Sequence, residues 1–115
     1  MQHMIEVLKL LASPASAQRQ ALPDFVVVAD EIALIFDDER RLLDKTSISR
    51  NLDAGLSAIS ALLEEMTGDR DAWTLAALET HPSWIEVRRI AHDLLGEIGE
   101  KPESPQLSWL TYVRQ

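Results

Sequence analysis

No cysteine occurs in the 115 residues. Disulfides, thiolate metal sites and cysteine nucleophiles are thereby excluded, and the composition fits a cytoplasmic protein. Glycine (4) and proline (5) are scarce, and the glycines stand singly, so no glycine-rich phosphate loop can be built. Long apolar runs are missing as well. None approaches the ~18 uninterrupted residues a membrane span needs. The opening stretch "MQHMIEVLKLLASPASAQ" has no basic region ahead of its apolar part, and Glu6 and Lys9 interrupt that part, so a secretory leader is not expected. Basic side chains are few: 11 against 19 acidic, a formal net charge of −8. That field repels phosphate backbones and anionic lipid, so the reading is no nucleic acid and no membrane. A basic protein or bound cations would be attracted.

What is present is a recurring apolar pattern. Apolar residues make up 46% of the chain, enough for a core that takes roughly two-thirds of the unfolded surface out of water. Residues 1–115 are read as one domain. In segment 3–12, Met4, Ile5, Leu8, Leu11 and Ala12 share a helical face, and Ser13-Pro14 interrupts it. Pro14 would either kink the helix or begin a second short one, with Ser13 as its cap.

"FVVVADEIALIFDDERRLL", residues 25–43, poses the sharpest question. A buried strand delivering Asp37-Asp38 to a metal would imply an enzyme or a phosphoacceptor. An amphipathic helix implies neither. Charged residues at 30, 31, 37, 38, 41, 44 and 45 recur every seven residues, opposite Phe25, Val28, Ala29, Ile32, Phe36, Leu42 and Leu43. Seven residues are about two helical turns, so the period is that of a helix, started by Pro23-Asp24. Three successive valines favour a strand, but that preference is weaker than a sustained period.

Further on, Ile48, Leu52, Leu56, Ile59, Leu62, Leu63 and Met66 form a stripe, capped by Ser47 or Ser49 and closed by Gly68. A helix over 71–80 would be capped by Asp71, with Trp73, Ala76, Ala77 and Leu78 inward, and end before Pro82. "SWIE" at 83–86 has the form of a capping box, followed by Trp84, Val87, Ile90, Ala91, Leu94, Leu95 and Ile98 up to Gly99. "GEKPESPQ" is a loop. "LSWLTYV" beyond it is a short helix or an ordered tail docking on the core. The expected fold is all-α: a compact single-domain bundle of about five helices, with Phe36, Leu52, Ile59, Leu62, Trp84, Ile90 and Leu94 in the core.

Three short patterns resemble catalytic boxes and fail on their missing partners. Asp37-Asp38 opens like the DDxxD box of isoprenoid synthases, but the fifth position is Arg41. His92-Asp93 is similar to the HD dipeptide of metal-dependent phosphohydrolases, yet His3 and His81 stand at no matching spacing. Glu64-Glu65 resembles the start of the EExxE box of helical nucleotide pyrophosphohydrolases, but Gly68 replaces the third acid. No nucleophile elbow or triad is present. No catalytic residue, metal or cofactor is therefore assigned.

The remaining reading is a small acidic protein-binding domain. In size, charge and class, though not in motif, it resembles bacterial immunity proteins and antitoxins, which place carboxylates against basic toxins. The expected partner-binding residues are Asp30, Glu31, Asp37 and Asp38, with Trp109 in the tail. The alternatives are a small helical metal-dependent hydrolase built on carboxylates and His92, or a homodimeric adaptor that self-associates through the apolar surplus of 25–43.

Overall fold

The structure, a computed structural model, describes residues 1–24 and 26–110. Its centre is the first helix, α1 (Gln2–Ala12). From Met4 to Leu11 every residue except Ile5 is buried, including Glu6 and Lys9. One apolar face was expected, yet Val7 and Leu10 are as buried as Leu8. Burying α1 on nearly all sides is tolerable because its two charged residues pair, Lys9 Nζ lying 3.4 Å from Glu6 Oε2. Ser13 donates its hydroxyl to the Lys9 carbonyl at 2.7 Å. It therefore closes α1 and does not cap α2 (Ala15–Ala21), whose Gln18 reaches back to the carbonyls of Leu10 and Leu11.

α3 (Val28–Leu42) begins a turn later than its sequence signals imply. Pro23-Asp24 forms a turn instead, closed by the Val26 N–H on the Pro23 carbonyl. Extended backbone at Val27 then precedes the helix, as β-branched residues favour. Phe25, placed inward by the sequence, lies outside the described residues. Ile32, Phe36 and Ala29 are buried as expected, but Leu42 is 79% exposed. It stands one turn after Asp38, on the solvent side.

A 3-10 turn at Lys45–Ser47 leads into α4 (Arg50–Met66), where the Ser49 hydroxyl accepts the Leu52 N–H at 3.1 Å. α4 does not close on a left-handed Gly68. Thr67 ends it in right-handed geometry, and Gly99 is the residue with positive φ among those described. Asp69, not Asp71, caps the next 3-10 turn (Arg70–Trp73), and Thr74 caps α5 (Leu75–Thr80). Ala76 is exposed, contrary to expectation. α6 (Pro82–Glu97) starts at its proline. With Pro82 as the first helical residue, the cap position passes to His81, whose Nδ1 accepts the Ser83 N–H at 3.1 Å. The capping box at Ser83 is thereby displaced.

α6 packs along α1 and against α4, while α3 covers another side of α1. Trp84 is buried at the centre and donates its indole N–H to the Ala72 carbonyl at 2.7 Å; Trp73 meets it edge-on at 5.8 Å. Of the expected core, Leu62 and Ile90 are only half-buried. Arg88 joins two helix ends, donating to the carbonyls of Ser13 (2.9 Å) and Leu78 (2.6 Å). No strand occurs among the described residues, and the fold is an all-α bundle of six helices, α5 being the short addition. Residues 100–110 run on as an ordered, non-helical segment. Tyr112, expected in the same tail, lies outside the described residues.

Candidate functional site

α3 turns Asp30, Glu31, Asp37 and Asp38 to one side because seven residues bring a helix round to the same bearing. Asp30, Asp37 and Asp38 are exposed and Glu31 is half-buried. Asp38 pairs with Arg41 one turn on. Asp30, Glu31 and Asp37 have no ion-pair partner among the described residues. Arg40 reaches across to α4, where it donates to Ser57 (2.9 Å) and Ser60 (3.2 Å).

The face also carries apolar side chains that the sequence pattern did not single out. Val27 is 60% exposed and Leu34 56%. They stand seven residues apart, with Asp30 and Glu31 between them and Asp37 and Asp38 one turn beyond. The clue was in the same period that marked the acids: position 34 falls in the charged row, not opposite it. Leu34, Asp37, Arg40, Arg41 and Lys45 line an open hollow of about 510 Å³ at the C-terminal half of α3. At the other end Val27, Trp73, Leu75 and Asp24 border a second, of about 560 Å³.

Trp109 is not part of this face. Its ring stacks on His3 with centroids 4.0 Å apart and planes 7° from parallel, and its indole N–H donates to the Gln106 carbonyl at 2.6 Å. It serves as an internal anchor at the N-terminal end of α1.

The residues of the failed catalytic boxes stay apart. His92 is exposed, and Asp93 pairs with Arg89 at 2.8 Å. His81 has both ring nitrogens occupied, one by the Ser83 amide and one by Asp69 at 3.1 Å. Glu64 and Glu65 face solvent on α4. No three His, Asp or Glu among the described residues group so as to hold a metal ion. No described helix is long and apolar enough to cross a membrane.

Comparisons with protein-family models, with curated proteins and with solved structures find no match.

Proposed function

We propose that this is a non-catalytic protein-binding domain that engages a basic protein through the outer face of α3. The observation that carries the reading is Leu34, more than half exposed in the middle of a helix, framed by Asp30, Glu31, Asp37 and Asp38. An apolar residue within a ring of carboxylates offers a contact to be desolvated and a charge rim to select its partner. Asp30, Glu31 and Asp37, which have no ion-pair partner among the described residues, supply the attraction, although Arg41 and Lys45 border the hollow beside Leu34 and Asp37.

A second copy fits this face poorly. An antiparallel pair that brings Leu34 opposite Leu42 sets Asp38 against its own equivalent and Asp37 against Glu39, where like charges repel. Neutralising a basic toxin, in the manner of an immunity protein or antitoxin, is the form of the function that such a face suits. Carboxylates can occupy the places where an anionic substrate would sit.

The test compares wild type with Leu34→Ser and with Asp30→Lys/Asp37→Lys, using a basic protein captured from the native host. The Leu34 variant should dissociate faster. The charge variant should associate more slowly at low salt, and added salt should remove that difference. Melting temperatures should remain close to wild type, because the altered side chains are solvent-facing. Unchanged binding by both variants at low salt would overturn the proposal.

A further inference from the structure

Residues 100–110 leave α6 through Gly99, whose φ of +77° turns the chain, with the Glu100 N–H on the Leu95 carbonyl at 2.8 Å. Beyond Glu100 this strap makes a single backbone–backbone hydrogen bond among the described residues, the local one from Leu110 N–H to the Leu107 carbonyl. Side chains hold it in place. Glu103 Oε1 meets Lys9 Nζ at 3.1 Å, with Glu100 Oε1 at 3.8 Å. The Gln106 N–H donates to Glu6 Oε1 at 2.7 Å, and Trp109 lies on His3.

The two halves of this cluster differ. Lys9 and Glu6 are fixed on α1 with side chains only 8% and 7% exposed, whereas the Glu103 side chain is 60% exposed. A buried ion pair is stable only when its remaining donors and acceptors are met. The strap meets them: a carboxylate for the ammonium and an amide for the second oxygen of Glu6. The Glu103 carboxylate is the main cause holding Lys9 above the usual lysine pKa. Leu107, Trp109 and Leu110 rest on the core only partly buried, and hollows flank the strap. A hollow of about 270 Å³ separates Pro102 and Glu103 from the α1–α2 turn. Another, of about 500 Å³, lies between Leu107, Leu110 and the end of α2.

We infer that the α1 surface carrying His3, Glu6 and Lys9 is a peptide-docking seat, filled in the free protein by the chain's own 100–110 strap, which leaves and returns as a unit. The seat selects an extended segment that offers a carboxylate to Lys9, a backbone N–H to Glu6 and an aromatic ring to His3. "EKPESPQLSWL" meets all three demands. Because the strap is tethered through Gly99, its effective concentration at the seat is on the order of millimolar, and a free peptide competes poorly until the tethered copy is weakened.

The experiment uses the full chain with Glu100→Gln and Glu103→Gln, both at the solvent-open side of the cluster. Amide exchange by NMR should accelerate at least about tenfold at Gln106 and Leu110 while the amides of α6 keep their wild-type rates. A synthetic peptide of residues 99–110, at tens to hundreds of micromolar, on the order of a tenth of that effective concentration or less, should then shift resonances of residues 3–9 in the variant and not in wild type. Strap and α6 amides accelerating together, or the strap amides staying as slow as in wild type, would overturn release as a unit. Release without peptide binding would overturn the seat.

Discussion

Replacing Gly55 with alanine sets two opposing effects of known size against each other. In a helix interior alanine is better than glycine by about 1 kcal/mol, so a surface α4 would gain. Gly55, however, sits directly against Leu94 of α6. A Cβ there would lie 2.5 Å from Leu94 Cδ2, 2.7 Å from Cδ1 and 2.9 Å from Cγ. Rotating the methyls does not relieve contact with the branch carbon, and Leu94, 4% exposed, can give way only by shifting within the core. Forcing an extra methyl into such packing costs roughly 1–3 kcal/mol, and three contacts below 3.0 Å place this site in the upper part of that range. The expected net effect is a loss of about 1–2 kcal/mol, a fall of roughly 4–8 °C in Tm for a chain of this size. Urea denaturation followed by far-ultraviolet circular dichroism measures it. Leu94→Ala alone should cost about 2–5 kcal/mol through the cavity it leaves. The Gly55→Ala/Leu94→Ala pair should lose less than the sum by about 1 kcal/mol, because the new methyl fills part of that cavity. A gain of about 1 kcal/mol for Gly55→Ala, the propensity effect alone, would refute the close approach.

Arg88→Met should lower stability by about 2–3 kcal/mol, since the carbonyls of Ser13 and Leu78 both lose a charged donor; Arg88→Lys should recover only part, lacking the fork that spans the two. Denaturant titration of the three proteins decides it. Ile59→Ala should cost roughly 2–4 kcal/mol and Leu62→Ala clearly less, because Ile59 is fully enclosed and Leu62 half-buried; equal losses would reject the assigned faces. The Thr46 hydroxyl, and after it the Thr46 N–H, hold the Asp44 carboxyl below the usual carboxylate range. A depressed carboxylate stabilises the fold above its unfolded pKa, and that contribution is lost as pH falls through the folded value. The stability difference between wild type and Asp44→Ala should therefore shrink on acidification below the ordinary Asp range, as seen by denaturation at a series of pH values.

The long helices were legible because their apolar spacing is set by the same geometry that buries them. α4 and α6 lie within two residues of their sequence limits. α1 was legible as a helix but not as the centre of the fold. Glu6 and Lys9 read only as interruptions of an apolar stretch, and nothing local to them says that Glu103 and Gln106 return some hundred residues later to complete their pairing. Cap positions slipped by a residue or two where a neighbour competed: Pro82 took the first helical position, so His81 and not Ser83 became the cap. On α3 the acidic row followed directly from the seven-residue period. Leu34 was assigned to neither face, although its position in that period is outward. Trp109 was read both as an interface residue and as part of a docking tail, and its stacking on His3 shows the docking.

The enclosure of α1 has a bearing on how the protein is made. The surface that covers it most extensively is α6, which begins at Pro82. While the chain is still on the ribosome and shorter than this, Val7, Leu8, Leu10 and Leu11 have α3 on one side but not α6, and Lys9 has Glu6 but neither Glu100 nor Glu103. The apolar girdle of α1 is thus only partly covered until α6 has emerged. Nascent chains stalled between α5 and α6 are the species in which chaperone contact and aggregation should concentrate.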